Sequence, residues 1–340
     1  MRIGINGLGR IGRGFLRASL TLDDLQVVAV NDLGDRAILA HLLRHDSLFG
    51  KPGPPIVARE DGLRVGDRLI RCTHATMPGS IPWSEAGVDL VLEATGQFTS
   101  RSAAAGHLER GAGHVIITSP SDDADLMICY GINESLYDPE RHRILSNASC
   151  TTNAMAAVMT VVDREFGIER AAMTTVHCYT NNQVLMDTPH RDPRRARAAG
   201  MSMIPTSTSA AGAIVRVMPQ LEGRVYALAV RVPTAAVSLI DLSIILRRPT
   251  DLETVRGALR RAASGPLLGV LGYSDEELVS IDYLGDPRSA IIDGPLLAVE
   301  GERLLKILAW YDNESGYVAR LVDLVRHIVR RQDGAGRNQR

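Results

Sequence analysis

Residues 2–12 decide the fold, because Arg2-Ile3-Gly4-Ile5-Asn6 runs directly into Gly7-Leu8-Gly9-Arg10-Ile11-Gly12. The apolar run predicts a short strand, and the stretch from Arg10 to Leu20 predicts a helix. Between them, the glycines let the backbone turn tightly and approach a pyrophosphate, which rests on the N-terminus of the helix. The glycine pattern alone indicates little. Its position between a strand and a helix predicts a dinucleotide site at Gly7, Gly9, Arg10, Ile11 and Gly12.

A second apolar run, Val27 to Val30, ends at Asn31-Asp32, about twenty residues beyond the glycines. A carboxylate at this position accepts hydrogen bonds from the adenosine ribose and disfavours a 2′-phosphate. We therefore expect Asp32 to bind the cofactor and the cofactor to be NAD. The alternative is an aspartate that simply begins a loop.

The next apolar runs predict further strands of an open parallel sheet. Val88 to Glu93 and His114 to Thr118 are each followed by small or hydroxyl residues, among them Gly96 and Ser119. Ligands gather at the carboxyl ends of such strands, so both residues are candidates for cofactor binding. Gly62 to Cys72 predicts a small hairpin insertion.

Beyond Cys150 the pattern changes to longer strands, Arg224 to Val232 and Ala236 to Leu246, with a helix around Asp251 to Ala263. The sequence thus predicts an α/β Rossmann NAD-binding domain followed by an α+β catalytic domain with a mostly antiparallel sheet. We expect the boundaries to be 1–149 and 150–313, followed by a helix over 314–332 and a disordered tail from Asp333 to Arg340.

The sequence around Cys150 favours a reactive thiol. Cys150 lies in Ser146-Asn147-Ala148-Ser149-Cys150-Thr151-Thr152-Asn153, just before a helical run from Ala154 to Phe166. If Ser149 caps that helix, its unsatisfied N–H groups lie beside the sulfur and lower the pKa of the thiol. His177 closes the β-branched run Met173 to Val176, where a base could face the sulfur. The sequence leaves open whether they meet, and a buried structural cysteine is the alternative.

Composition excludes several function classes. The 340 residues carry a net charge of −1, which gives no reason to expect nucleic acid or a membrane surface as partner. The four cysteines show neither metal-ligand spacing nor a dense disulfide pattern, so we expect no metal and a cytoplasmic location. The N-terminus enters a strand at once, and we expect no signal peptide.

Taken together, these motifs resemble phosphorylating glyceraldehyde-3-phosphate dehydrogenase over nearly the whole chain. Further matching blocks are Arg194 to Ala199, Ile204-Pro205-Thr206-Ser207-Thr208, Arg231-Val232-Pro233-Thr234 and Trp310-Tyr311-Asp312-Asn313-Glu314. The resemblance implies NAD as cofactor, a small phosphorylated aldehyde and inorganic phosphate as substrates, and a homotetramer. It also implies that the last helix packs on the NAD-binding domain.

The resemblance further implies residue roles. Cys150 would attack the aldehyde, and His177 would move the proton. Thr180 and Arg231 would hold the substrate phosphate, whereas the incoming phosphate would be held by Ser149, Thr151, Arg195, Thr208 and Ser209. Asn313 and Tyr317 would fix and back the nicotinamide. A solvated or subunit-facing charge for Arg195, a turn hydroxyl for Thr208 and ordinary packing for Tyr317 are the alternatives.

Departures from the family pattern leave the substrate open. Ser209 replaces a usual glycine, and Ser315 replaces a tryptophan. Ile240 to Ser243 and Asp286 to Gly294 are more similar to erythrose-4-phosphate dehydrogenase, and also to the branch associated with arsenic resistance, in which arsenate replaces phosphate. Use of NADP stays possible, because only part of the NAD-specific pattern is kept. A non-catalytic NAD-binding regulatory protein is the alternative from another class, although the catalytic residues are all present.

Overall fold

The computed structural model describes residues 1–337, which divide into two units. The first unit comprises Met1–Ile128, Glu134–Ala148 and the chain from Leu321 onward, and the second comprises Cys129–Asn133 and Ser149–Arg320. Within residues 1–337, no helix is both long enough and apolar enough to cross a membrane.

The first unit is built on a nine-stranded sheet in the order β3-β4-β5-β2-β1-β6-β7-β9-β8. The strands from β5 to β8 in that order pair in parallel, whereas β3, β4 and β5 pair antiparallel. Its elements, in chain order, are β1 (Arg2–Asn6), α1 (Arg10–Ser19), β2 (Gln26–Asn31), α2 (Arg36–Arg44), β3 (Ile56–Arg59), β4 (Gly62–Val65), β5 (Arg68–Thr73), β6 (Leu90–Glu93), α3 (Arg101–Ala104), α4 (Gly106–Glu109), β7 (His114–Ile117), β8 (Leu126–Met127) and β9 (Ile144–Ser146).

The register of the parallel strands brings polar residues to one edge of this sheet. Asn6 pairs with Asn31 and Glu93, Glu93 pairs with Ile117, and Ile117 pairs with Ser146. Ahead of that edge the strands are apolar and fully buried, as at Ile5 and Leu92. The α/β architecture predicted for this half of the chain is therefore observed.

The second unit has an eight-stranded sheet in the order β11-β12-β10-β13-β17-β15-β14, with β16 paired to β17. Only β10 with β12 and β14 with β15 are parallel, so the sheet is mostly antiparallel, as predicted. Its elements are α5 (Cys150–Phe166), β10 (Ile168–Cys178), β11 (Ile204–Thr206), α6 (Ala210–Val217), β12 (Val225–Val232), β13 (Ser238–Leu246), α7 (Leu252–Ser264), β14 (Leu271–Ser274), β15 (Ala290–Asp293), β16 (Ala298–Glu300) and β17 (Leu304–Tyr311).

The final helix, α8 (Ser315–Arg337), is longer than the sequence indicates. The tail expected from Asp333 onward is wrong as far as Arg337, because an existing helix adds residues without a new nucleation cost. The rest of that expected tail, residues 338–340, lies outside the described residues. The unit boundary also differs from the predicted one, since Cys129–Asn133 belongs to the second unit. There Gly131 lies close enough to Val270 that an added Cβ would be 3.1 Å from its Cγ2.

Candidate active site

The turn between β1 and α1 has the geometry that a dinucleotide requires. Gly7 has φ +96°, a conformation that residues with a Cβ rarely adopt. A Cβ on Gly12 would lie 2.0 Å from the carbonyl oxygen of Gly7, so helix and turn approach too closely for any side chain. Gly9, the N-cap of α1, has open space where a Cβ would stand. That space forms a cradle in front of the helix N-terminus.

Asp32 braces this turn. Its Oδ2 accepts a hydrogen bond from the amide of Leu8 at 2.7 Å, and its Oδ1 accepts one from the amide of Gly34 at 2.8 Å. The residue predicted to bind the ribose thus also fixes the glycine turn. These contacts belong to the loop-initiating role that was its alternative, and ribose binding by Asp32 stays a prediction.

The remaining predicted cofactor residues of this unit differ in their surroundings. Gly96 has φ +69° and open space at its Cβ position, and Ser119 has a buried hydroxyl without a hydrogen-bond partner. Ile11 is half-buried, and the guanidinium of Arg10 pairs with Asp46 at 2.5 Å. An open cradle at a helix N-terminus together with an orphaned hydroxyl fits a dinucleotide with its phosphates at Gly9.

A buried hydrogen-bonded network, which sequence reasoning missed, lies under the polar edge of this sheet. The carboxylate of Glu93 accepts hydrogen bonds from Asn6 Nδ2 at 2.6 Å and His107 Nε2 at 2.9 Å through Oε2. Its Oε1 accepts from the amide of Thr95 at 2.9 Å and from the hydroxyl of the same residue. Trp83 Nε1 donates to His107 Nδ1 at 2.9 Å, which leaves the ring proton on Nε2. Four donors therefore fix one buried carboxylate.

In the second unit, Cys150 is the first residue of α5. Ser149 is the N-cap, and its Oγ accepts the amide of Thr152 at 3.0 Å, as predicted. Ala148 has φ 54°, so a left-handed residue turns the chain into the helix. His177 precedes the last residue of β10 and is 4% exposed. Its Nε2 lies 3.6 Å from Cys150 Sγ, so the two residues meet.

Three neighbours approach the other ring nitrogen of His177, and the most distant is Cys178 Sγ at 3.7 Å from Nδ1. The carbonyl oxygen of Cys178 lies 2.7 Å from Nδ1, and Arg231 Nη1 lies 2.6 Å from it. The parallel pairing of β10 with β12 explains the Arg231 contact, because His177 and Arg231 are register partners. A proton on Nδ1 satisfies the carbonyl and leaves Nε2 free to accept. A hydrogen bond from Arg231 instead places the proton on Nε2.

The direction of the pKa shift of Cys150, next to His177, differs from the prediction. Burial, with the charge of Arg231 acting in the same direction, lowers the pKa of His177 to about 3, so its ring is neutral at pH 7. Burial raises the pKa of the Cys150 thiol, and Arg231 only partly opposes this. The expected lowering by the helix N-terminus is therefore wrong for the free protein. Desolvation of the charged form is the larger effect.

The prediction assigns the phosphate-binding residues to two groups, and the structure gives partners for several of them. Thr180 donates from its amide to Gln183 Oε1 at 2.9 Å, and the buried Nε of Arg231 has no hydrogen-bond partner. In the other group, Arg195 pairs with Asp192 at 3.4 Å and reaches the carbonyl oxygen of Ser207 at 3.5 Å. The carbonyl contact brings Arg195 to the segment that carries Thr208 and Ser209. Thr208 Oγ1 accepts the amide of Ala210 at 3.2 Å, and Ser209 is the N-cap of α6.

A relay of hydroxyl groups beside Cys150 was not predicted. Thr175 Oγ1 donates to the carbonyl oxygen of Leu239 at 3.0 Å and lies 2.8 Å from the hydroxyl of Tyr311. The same tyrosine hydroxyl lies 2.9 Å from Thr151 Oγ1. Tyr311 directly precedes the Asp312-Asn313 block, which was the signal available in the sequence. Tyr317 is buried, and Asn313 accepts a hydrogen bond from Cys178.

Comparison with known proteins gives consistent matches in both halves. Residues 1–101 match the family model described as the NAD binding domain of glyceraldehyde 3-phosphate dehydrogenase, and residues 149–313 match the one for its C-terminal domain. Glyceraldehyde-3-phosphate dehydrogenase 2 of Bacillus subtilis is 48% identical over 97% of both chains. The Kitasatospora aureofaciens enzyme is 49% identical over 97% of this chain and 99% of its own, and that of Geobacillus stearothermophilus is 47% identical over 97% and 98%.

Proposed function

This chain belongs to the glyceraldehyde-3-phosphate dehydrogenase family of NAD-dependent oxidoreductases, and from that premise we propose the reaction that it catalyses. The reaction is the oxidative phosphorylation of D-glyceraldehyde 3-phosphate to 1,3-bisphosphoglycerate, through a thioester on Cys150. The observation that carries the proposal is the 3.6 Å approach of Cys150 Sγ to His177 Nε2.

The thiol proton moves to Nε2 of the neutral His177 while the sulfur bonds to the aldehyde carbon. The same proton then goes to the oxygen of the hemithioacetal. NAD, when bound in the cradle at Gly9, would supply the acceptor for the hydride that leaves this carbon. His177 Nε2 takes back the hydroxyl proton as the carbonyl of the thioester forms. Inorganic phosphate attacks the resulting thioester, the C–S bond breaks, and the sulfur recovers a proton from His177. When Nδ1 carries the ring proton it can donate to the carbonyl oxygen of Cys178, and when Nε2 carries it, Nδ1 can accept from Arg231. Both tautomers of His177 therefore have a partner, which suits a residue that takes a proton from the sulfur and later returns one.

Two anion sites serve this chemistry. Thr180 and Arg231 hold the phosphate of the substrate, and the unpartnered Nε of Arg231 supports that role. The incoming phosphate is held by Ser149, Thr151, Arg195, Thr208 and Ser209. Asn313 binds the nicotinamide carboxamide, and Tyr317 backs the ring.

A homotetramer in the cytoplasm is part of the same proposal. The segment between β10 and β11 exposes large apolar side chains, including Leu185 at 88% and Met201 at 84%. Side chains of this kind favour a subunit interface. All four cysteines are free, which suits a reducing compartment.

The test is NADH formation by the purified protein with glyceraldehyde 3-phosphate or erythrose 4-phosphate, each with phosphate, with arsenate and with neither. We expect preference for the three-carbon substrate and a requirement for an oxyanion. Cys150→Ser should abolish turnover, whereas Cys72→Ser, which changes a buried thiol of the first unit, should retain it. Preference for erythrose 4-phosphate would reassign the substrate. NAD binding without turnover would favour a regulatory role.

A further inference from the structure

Cys178, the last residue of β10, contacts a residue of the proposed nicotinamide site. Its Sγ lies 3.0 Å from Asn313 Oδ1, and its side chain is 1% exposed. Burial raises the pKa of this thiol to about 12, so it keeps its proton at neutral pH. A protonated thiol next to an amide oxygen is a donor, and Oδ1 is the acceptor.

The cysteine itself is held in place. Its amide donates to the hydroxyl oxygen of Ser238 at 3.2 Å, and Ser238 is also 1% exposed. The backbone around Asn313 is fixed from the other side. Asp312 Oδ1 accepts the amides of Glu314 at 2.9 Å and of Ser315 at 3.0 Å, and Asp312 Oδ2 accepts the amide of Gly285 at 2.7 Å. The freedom that remains to Asn313 is therefore the rotation of its side-chain amide.

A donor at one end of an amide determines what the other end presents. The oxygen and nitrogen of a carboxamide lie on opposite sides of its carbon, so a thiol that holds Oδ1 turns Nδ2 away from Cys178. Without that donor, a flipped amide would present an oxygen instead of an N–H group.

We propose that Cys178 is a positioning residue for cofactor binding, whose thiol orients Asn313 so that Nδ2 is offered to the carboxamide oxygen of nicotinamide. This proposal rests on the proposed function, which assigns Asn313 to the carboxamide. It explains why a polarizable donor stands in a buried position directly behind the cofactor-binding amide. Packing alone would be satisfied equally by an apolar side chain of the same size.

The test compares NAD with ADP-ribose, which lacks nicotinamide, by titration calorimetry on the full-length protein without bound cofactor. Cys178→Ala removes the donor, and Cys178→Ser retains one. Since loss of one hydrogen bond changes affinity by about fivefold, we expect Cys178→Ala to weaken NAD binding by about that factor. ADP-ribose binding should stay within about twofold, and Cys178→Ser should bind both ligands like the native protein. In the Asn313→Ala background, Cys178→Ala should cause no further loss of NAD affinity.

Three results would overturn the proposal: an unchanged NAD to ADP-ribose ratio in Cys178→Ala, equal losses in the alanine and serine variants, or a native protein that binds NAD no more tightly than ADP-ribose. Failure of the proposed function differs from these, because it appears as NAD binding without NADH formation.

The native protein offers a readout that does not depend on folding of the alanine variant. The infrared S–H stretch that disappears in Cys178→Ser should lie at the lower frequency of a hydrogen-bonded thiol. A free-thiol frequency would contradict the orientation of Asn313.

Discussion

Glu93→Gln should be the most damaging conservative substitution under the polar edge of the first sheet. An amide nitrogen directed toward Asn6 and His107 would face two donors. One directed toward Thr95 would face the main-chain amide, while the Thr95 hydroxyl can rotate to accept from it. The imidazole cannot adapt by changing its tautomer, because its Nδ1 already accepts a hydrogen bond from Trp83. The substitution therefore places the N–H group of the new amide against another buried N–H group, which loses its acceptor.

The expected cost follows from that count. In the more favourable orientation one hydrogen bond to a charged group is lost at about 1.5–3 kcal/mol, so we expect the local opening free energy to fall by about that amount. Hydrogen–deuterium exchange of the full-length protein, followed in peptides that contain Asn6 and Thr95, measures this quantity. Exchange reports the local free energy even if global unfolding is irreversible.

Glu85→Gln is the matched control. Glu85 is exposed and lies 4.0 Å from Arg71, and a surface pair of this kind is worth about 0–1 kcal/mol. Its loss should leave protection at Thr95 unchanged. If Glu93→Gln lowered protection by less than about 1 kcal/mol, the network would not carry the energy assigned to it.

Three further predictions test the glycine turn and the catalytic pair. Gly12→Ala should prevent normal folding of the first unit, as followed by circular dichroism and thermal melts, because its Cβ would lie 2.0 Å from a carbonyl oxygen. Gly9→Ala should fold normally and lose NAD affinity in calorimetry, because a Cβ there meets open space. Equal stability of the two variants would refute this reasoning. Arg231→Gln should raise the pKa of the Cys150 thiol and slow its alkylation by iodoacetamide at pH 8 several-fold. In the control variant Arg197→Gln, which changes an exposed arginine, Cys150 should be alkylated at the native rate. The pKa of His177 falls from 6.5 to about 3 on folding, so the unfolded chain binds more protons between those pH values and the free energy of unfolding declines as the pH falls. His177→Gln should flatten that decline by up to about 1.4 kcal/mol per pH unit in urea titrations. An unchanged slope of unfolding free energy against pH would contradict the shift.

Local signals predicted most of the first unit. The strand, the glycine turn and the helix after it appear where residues 2–20 indicate them, because turn chemistry and apolar periodicity are local properties. The hairpin predicted as an insertion is instead part of the main sheet, since β5 pairs in parallel with β2. Nothing within residues 62–72 encodes that pairing, which is a long-range contact.

The candidate site shows the same division. Ser149 as a cap and His177 at a strand end follow from short stretches of sequence, and both are observed. The pKa directions do not follow, because they depend on how much of the chain covers the two side chains. The contacts of His177 with Arg231 and of Cys178 with Asn313 join residues separated by 54 and 135 positions. Such pairs are invisible to any pattern within one segment.

The hydroxyl relay beside Cys150 has a fixed polarity. Thr175 gives its single proton to the carbonyl oxygen of Leu239, so Tyr311 must give its own proton to Thr175, and Thr151 in turn must give its proton to Tyr311. The hydroxyl proton of Thr151 therefore stays within the relay. The contribution of Thr151 to the proposed phosphate site then comes from its main-chain N–H group in the first turn of α5, together with the side chains of the other proposed phosphate-binding residues.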